Sequence, residues 1–229
     1  MRANETNPMA TLSDISALSV LLRELPPPTP EGRMILEFMP GRVEGEKPVA
    51  SYLSPLDAHI DFTCGDIPKV SYTLRQVALL SVSKLAKTFP NGMVFEIACG
   101  FQAVDGKLLA DEQGRWRRHS LREAVHASFH DGKQILEVTD GIKRELDYLH
   151  EHAGLFAWRE TLHYLASDWD QARLDRAVTQ AFHTACDVQR SRSGTMNQVA
   201  LFDFEAEQWH FVPYSPFVES QEDNHLHGE

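Results

Sequence analysis

The sequence predicts an α+β fold: a mostly antiparallel sheet built from hairpins, packed by a run of helices in the second half of the chain. One observation is an alternation of apolar and polar residues from Met93 that leads into Asp105-Gly106, a pair typical of tight hairpin turns. The other is a helical periodicity that begins near Asp140 and continues for about fifty residues. Strands in hairpins and helices in a separate run disfavour a doubly wound parallel sheet.

The clearest hairpins lie between residues 93 and 119. The turn at Asp105-Gly106 returns the chain through 107–110, and a second turn at 111–114 leads into 115–118. Large apolar groups at alternate positions of the first strand should share one buried face. These groups are Phe95, Ile97, Cys99 and Phe101. The pattern therefore predicts a three-stranded meander with one face in the core.

The part of the chain before the meander mixes both periodicities. Residues 11–25 indicate an amphipathic helix, and the prolines that follow form a spacer. A capping box at Thr73 and Gln76 predicts a helix that ends before Pro90. Strict alternation over 57–64 is typical of a half-buried strand. Strands are predicted at 34–39, 49–53 and 57–64.

After the meander, a second capping box at Ser120 and Glu123 predicts a helix that ends at 131–132. A short strand should follow at 133–138. Three helices are then predicted at 142–152, at 155–166, and from a cap at Asp170 to about 191–194. The last predicted unit is a closing hairpin with strands at 199–204 and 209–212.

The chain divides into three segments by composition. Residues 1–30 hold the first helix and its proline-rich spacer, and residues 31–214 form a single α+β domain. Residues 215–229 are polar and acidic, which predicts a disordered tail.

Composition and charge narrow the class of protein. Hydrophobic residues make up 42% of the 229 residues, enough for a core. The net charge of −11 disfavours a general binder of phosphate backbones. Three widely spaced cysteines favour free thiols in a reducing cytoplasm. No stretch has the pattern of a signal peptide or a membrane span, so a cytoplasmic location without membrane association is expected.

One candidate for metal chemistry is the set Asp57, His59 and Asp61. On the predicted strand their side chains share one face, roughly 7 Å apart, and carboxylate and imidazole groups are ligands of divalent ions. This set would suit a metal-dependent hydrolase or nuclease. Three short side chains on one strand are nevertheless too far apart to share an ion without outside ligands, and a solvated edge strand carries such charges too. The sequence therefore predicts no cofactor, and a metal-dependent hydrolase or nuclease is an alternative hypothesis.

Other catalytic patterns are absent from the sequence. Cys99 lies on the predicted apolar face, where a thiol stays protonated and unreactive. The loops at 64–66 and 193–195 lack the flanking residues of a nucleophile elbow or a phosphate loop. The sequence therefore favours a non-catalytic role.

The one basic concentration is a candidate binding surface. It consists of Arg115, Trp116, Arg117, Arg118 and, slightly further on, Arg122. Arginines pair with phosphates and tryptophan stacks on bases, so the hairpin at 115–118 could serve a nucleic-acid-binding accessory protein. An acidic protein partner would suit the same patch on an acidic chain. The leading hypothesis is a non-catalytic cytoplasmic macromolecule-binding protein, an adaptor or assembly factor with a protein partner; the sequence does not predict its oligomeric state.

Overall fold

The structure, a computed structural model, shows an α+β fold in which the described strands join one mostly antiparallel sheet. Most of the predicted first helix and spacer (1–17 and 26–30) and the predicted tail (215–229) lie outside the described residues. The described residues are 18–25, 35–38, 48–65, 73–130, 133–185, 187–190 and 195–214.

Strands and helices are less cleanly separated along the chain than the sequence predicts, because two helices lie between strands of the first half. The strands are β1 (Ser19–Leu25), β2 (Ile35–Phe38), β3 (Val49–Tyr52), β4 (Thr73–Gln76), β5 (Met93–Val104), β6 (Lys107–Ala110), β7 (Arg118–Ser120), β8 (Val125–His130), β9 (Lys133–Glu137), β10 (Val188–Arg190), β11 (Gln198–Asp203) and β12 (Gln208–Pro213). The helices are α1 (Pro55–Cys64), α2 (Val82–Thr88), α3 (Asp140–His152), α4 (Trp158–Asp168) and α5 (Gln171–Thr184).

Strand β5 is the centre of the sheet. Along one edge it pairs in succession with β8, β7 and β6, all antiparallel. Along the other edge it pairs with β3 in parallel and with β11 antiparallel. Among the described pairs, only β3 with β5 and β10 with β6 are parallel. The hairpin of β5 and β6, the two predicted turns and the closing hairpin of β11 and β12 are confirmed. The third strand of the predicted meander differs: β7 begins at Arg118 and pairs with β5, and the bridge of Ala110 with Trp116 joins the segment before it to β6.

A bulge at Gly100 divides β5 into two halves. The register with β7 shifts between Ala98 and Phe101, and Gly100 has a φ of 83°. An extra residue in one strand reverses the alternation of side chains beyond it. The three large groups at 95, 97 and 99 therefore lie in one core cluster, whereas Phe101 lies in another. The prediction that all four share one face is wrong for Phe101.

The two core clusters pack different helices against the sheet. The first packs β5 and neighbouring strands against α3 and α4, and the second packs the far half of β5 and β11 against α1 and α5. The three predicted helices of the second half are confirmed, with Thr139 and Asp170 as side-chain caps of α3 and α5. Helix α5 ends at Thr184, earlier than predicted, because the chain then enters β10 beside β6.

The predicted strand at 57–64 is wrong, because these residues form α1. Ser54 caps the helix by accepting a hydrogen bond from the Leu56 amide, and Pro55 occupies the first turn. Both are start signals for a helix. The alternation predicted a strand because short helices of modest amphipathicity can also carry apolar residues at alternate positions.

The predicted helix at 11–25 is wrong in its described part, and the predicted helix at 73–89 is wrong over 73–76 but confirmed over 82–88 as α2. Residues 19–25 form β1, whose antiparallel partners are β2, β3 and β4. Leu18, Val20, Leu21 and Leu22 are all buried, and a strand buried on both faces resembles a helix in its apolar spacing. Residues 73–76 form β4 on β1, and the helix that follows, α2, is only seven residues long.

The predicted helix at 120–132 is also wrong. Its second half is β8, which pairs with both β5 and β9. Val125 and Ala127 are buried while His126 is exposed, which is the period of a strand. Glu123, expected to close a capping box, instead accepts a hydrogen bond from the Thr139 hydroxyl. The predicted strand at 133–138 is confirmed as β9.

Within the described residues, every helix is too short or too polar to cross a lipid bilayer.

The bulge yields a first prediction. An added Cβ at Gly100 would lie 2.5 Å from the backbone oxygen of Ala200, whereas one at Gly106, which also has positive φ, would meet nothing within 4 Å. We expect Gly106→Ala to cost about 1 kcal/mol of unfolding free energy through backbone strain alone. Gly100→Ala should cost roughly 3 kcal/mol or more, because the clash adds to the strain. Urea denaturation of both variants measures the difference; equal losses would contradict the close approach of β5 and β11.

Candidate functional site

The predicted basic hairpin is largely built into the fold. Trp116 is 8% exposed, and its ring packs against Phe101, Phe182 and Trp209 at centroid distances of 5.8, 4.6 and 5.7 Å. Arg115 forms a salt bridge with Asp111 at 2.7 Å, which closes the turn between β6 and β7. The indole that the sequence offered for base stacking is therefore a core side chain in this structure.

Arg118 lies at the centre of a buried polar network. Its side chain is 9% exposed, and its Nη1 donates to the Tyr52 hydroxyl at 3.3 Å and lies 3.6 Å from Asp61 Oδ2. Its Nη2 lies 3.9 Å from Glu96 Oε1. Burial would lower the pKa of Arg118, but Tyr52, Asp61 and Glu96 raise it, and the net shift is upward. The guanidinium thus stays charged and compensates the buried carboxylate of Glu96 and the half-buried carboxylate of Asp61.

Two hydroxyl groups complete this network. The Tyr52 hydroxyl donates to Asp61 Oδ2 at 2.6 Å, and the Ser120 hydroxyl donates to Glu96 Oε1 at 2.7 Å. Burial, followed by the Asp61 charge, raises the pKa of Tyr52 far above its usual value. The phenol therefore remains a donor, which is what the Asp61 carboxylate needs in this enclosed place.

Arg122 belongs to a second polar cluster, built around Glu145 of α3. Its Nε donates to the Tyr214 hydroxyl at 2.9 Å, which in turn donates to Glu145 Oε1 at 2.9 Å. His119 Nε2 lies 3.5 Å from the same oxygen. Burial would raise the pKa of Glu145, but the nearby His119 and hydrogen bonds from the Tyr214 hydroxyl and the Arg122 amide lower it overall.

An open cleft of about 340 Å³ separates the two clusters. Its walls include Glu96, Arg118 and Ser120 from the first cluster and His119 and Tyr214 from the second. These groups are engaged with one another by the contacts above. The arrangement is that of polar networks that fix the orientation of α1 and α3 against the sheet.

The three candidate metal ligands separate because α1 is a helix. Asp57 and Asp61 are one turn apart and face the sheet, where Asp57 Oδ2 accepts a hydrogen bond from the Gly100 amide at 3.1 Å. His59 lies near Asp175 of α5; burial lowers its pKa and Asp175 opposes that shift. Across the described residues, no three His, Cys, Asp or Glu side chains are grouped so as to hold a metal ion.

A cavity of about 230 Å³ lies beside Asp57, between α1, the α3–α4 connection, α4 and β11. Most of its walls are apolar or aromatic: Leu56, Leu155, Phe156, Trp158, Leu162, Leu165, Leu201, Phe202 and Phe204. Its polar groups are few: Ser54, Asp57, His150, Thr161, Asp203 and Glu205. Apolar walls with a few polar groups are the usual composition of a binding cavity.

Phe156 stands at this cavity and is 77% exposed. The turn before it is set by Gly154, which has a φ of 77° and donates its amide to Glu151 O. The Leu155 amide donates to His150 O at 2.8 Å, so α3 ends in a Schellman motif. The sequence predicted a helix from residue 155 and did not indicate that Phe156 is exposed. The available signal was a large apolar residue two positions after a helix-ending glycine.

Asp57 is the polar group with the most unusual environment in the cavity. Burial raises the pKa of Asp57 to about 7, with the Gly100 amide lowering it and Asp61 raising it further. While Oδ2 accepts from Gly100, no described residue donates a hydrogen bond to Oδ1. A perturbed carboxyl group in a cavity marks a candidate functional residue.

His150 and Trp158 form the rigid wall of the cavity. Their rings stack at 4.4 Å, and the other ring contact of Trp158 is the Arg159 guanidinium at 4.3 Å. His150 Nδ1 lies 2.8 Å from Leu146 O, and burial lowers the pKa of His150 to about 4. His150 is therefore neutral at physiological pH and does not compensate the charge of Asp57.

Comparison with protein-family models, with curated proteins and with solved structures finds no match to this chain.

The Arg118 network yields a second prediction. Arg118→Gln should lower the free energy of unfolding by about 3 kcal/mol, because it leaves the buried Glu96 and the half-buried Asp61 without their cation. Arg115→Gln removes the same charge from an exposed pair and should cost less than about 1 kcal/mol. Chemical denaturation at neutral pH compares them. Similar small losses for both variants would show that Arg118 is not the centre of a buried network.

A third prediction concerns pH. At pH 4 to 7 the native state keeps a proton on Asp57 that the unfolded chain has released, so the stability this proton confers is lost as pH rises towards 7. Between pH 5 and pH 8 the wild-type protein should lose on the order of 2 kcal/mol relative to Asp57→Asn. Urea denaturation at several pH values measures this, with the exposed-site variant Glu160→Gln as a charge-matched control. Parallel curves for wild type and Asp57→Asn would contradict the raised pKa.

Proposed function

We propose that the protein acts by binding another protein, as an adaptor or assembly factor, and that the cavity at Phe156 is the contact surface. The observation that carries this proposal is the 77% exposure of Phe156 at the mouth of an apolar, aromatic cavity. Burying one phenylalanine is worth roughly 1.5 to 3 kcal/mol. An aromatic anchor beside a pocket is the usual composition of the energetic centre of a protein interface.

The size of the cavity supports a side chain as its occupant. A volume of about 230 Å³ is below the range typical of pockets for drug-sized ligands. It suits one or two side chains of a partner, while Phe156 covers the adjoining partner surface. The connection between α3 and α4 that carries Phe156 is fixed by the Schellman motif, so this anchor is already positioned before binding.

A non-catalytic role is part of the proposal. Ser54 Oγ is occupied by the Leu56 amide, and His150 is neutral and held by Leu146 O. With its pKa lowered to about 4, His150 is a weak base, and Ser54 serves as the cap of α1, so these two neighbours of Asp57 do not form a nucleophile and base pair. A cytoplasmic location belongs to the same proposal, and the free thiols of Cys64 and Cys99 support it.

The two alternative functions draw less support from the geometry. A nucleic-acid role through the 115–118 hairpin would have to proceed without Trp116 and Arg118, which are packed inside. A metal-dependent hydrolase would need Asp57, His59 and Asp61 on one side of α1, whereas His59 lies towards α5.

A fourth prediction tests the contact surface. The tagged protein should be expressed in its native host as wild type, Phe156→Ser and Leu79→Ser, and bound proteins identified after affinity purification. Leu79 is 76% exposed and does not line this cavity, so it is a matched control for surface hydrophobicity. We expect Phe156→Ser to lose its partner by about tenfold or more and Leu79→Ser to keep it. Retention by both variants, with unchanged melting temperatures, would overturn the proposed surface.

A further inference from the structure

Among the described residues, the charged side chains that line the cavity at Phe156 are all acidic. Its walls include Asp57, Asp203 and Glu205, and no lysine or arginine among the described residues lines it. The one histidine in the walls, His150, is buried and neutral. An anionic group would meet repulsion here, and a neutral apolar group would leave the carboxyl group of Asp57 buried without compensation.

Of the three acids, Asp57 is the one that combines partial burial with an oxygen that accepts no hydrogen bond from the described residues. Asp203 Oδ1 accepts hydrogen bonds from the amides of Glu205 and Ala206, and its Oδ2 lies 3.6 Å from His210 Nε2. Glu205 is exposed to solvent, where its charge is screened. Asp57 Oδ1, in contrast, receives no hydrogen bond from the described residues and belongs to a half-buried carboxyl group.

The aromatic rings favour the same kind of ligand. The ring contacts of Trp158 are with His150 and Arg159, so this indole is occupied. Phe156 is exposed, and its ring face is open to a cation. A carboxylate combined with an aromatic face and apolar walls suits a cation on an alkyl stem.

We infer that the cavity takes a lysine or arginine side chain of the partner, with its alkyl part against the apolar walls and its cationic group at Asp57 Oδ1. This inference rests on the proposed function, because the partner protein supplies the side chain. It names the chemistry of that partner: a basic residue within an apolar surface. The acidic balance of the chain as a whole, −11, also favours encounter with a basic surface.

The test uses small probes in place of the partner. N-acetyl-lysine methylamide, the corresponding arginine compound and N-acetyl-norleucine methylamide are titrated into the full chain at pH 8, where Asp57 is ionised. The methyl signals of Leu56 and Leu155, which line the cavity, report binding by NMR. The norleucine compound matches the lysine stem without its charge. Asp57→Asn and the exposed-site variant Glu160→Gln, which lose the same charge, are titrated in parallel.

We expect the lysine and arginine probes to bind about tenfold more tightly than norleucine to the wild type and to Glu160→Gln, with the preference lost in Asp57→Asn. Equal affinity of lysine and norleucine for the wild type would overturn the inference while leaving an apolar binding cavity in place. Absence of any shift with the basic probes would overturn it as well. Should Asp57→Asn not fold, the comparison of lysine with norleucine on the wild type decides alone. The proposed function fails on a separate result, retention of the partner by Phe156→Ser.

Discussion

The bulge at Gly100 is the constraint on which the rest of the structure depends. A residue with a Cβ would strike the backbone of Ala200, so β5 and β11 can approach only because position 100 is glycine. The bulge turns the side chains beyond it to the other face, which lets a single strand contribute to two core clusters. It also turns the Gly100 amide towards Asp57, so the same irregularity that divides the core holds one oxygen of the candidate site.

Elements that depend on local signals could be predicted from the sequence. The turn at Asp105-Gly106, the helix caps at Thr139 and Asp170, and the hairpin of β11 and β12 all follow from residues close in the chain. The failures share a different cause. Strands β1 and β4 pair with each other, and β8 pairs with β5. These pairings with distant segments outweighed the capping boxes and the helical spacing of the three strands.

The candidate site was harder to predict than the fold. The sequence indicated Asp57 as a candidate by its carboxylate, but the predicted strand placed it on the same face as His59. The helical geometry of α1 separates the two side chains. Trp116 and Arg118 looked like surface groups because their partners come from Tyr52, Phe182 and Trp209, far away in the chain. For Phe156 the sequence offered only its position after a helix-ending glycine, because the exposure of an apolar residue is decided by what the rest of the fold leaves uncovered.

The position of β5 in the sheet has a consequence for synthesis of the protein. Its partners are spread from β3 to β11, so the strand has neighbours on both sides along its length only after nearly the whole described chain has left the ribosome. Until then the edge that receives β11 stays open on the nascent chain, next to the apolar side chain of Phe101. Such long-range pairing slows folding, and the emerging polypeptide is most prone to aggregation between the synthesis of β5 and that of β11.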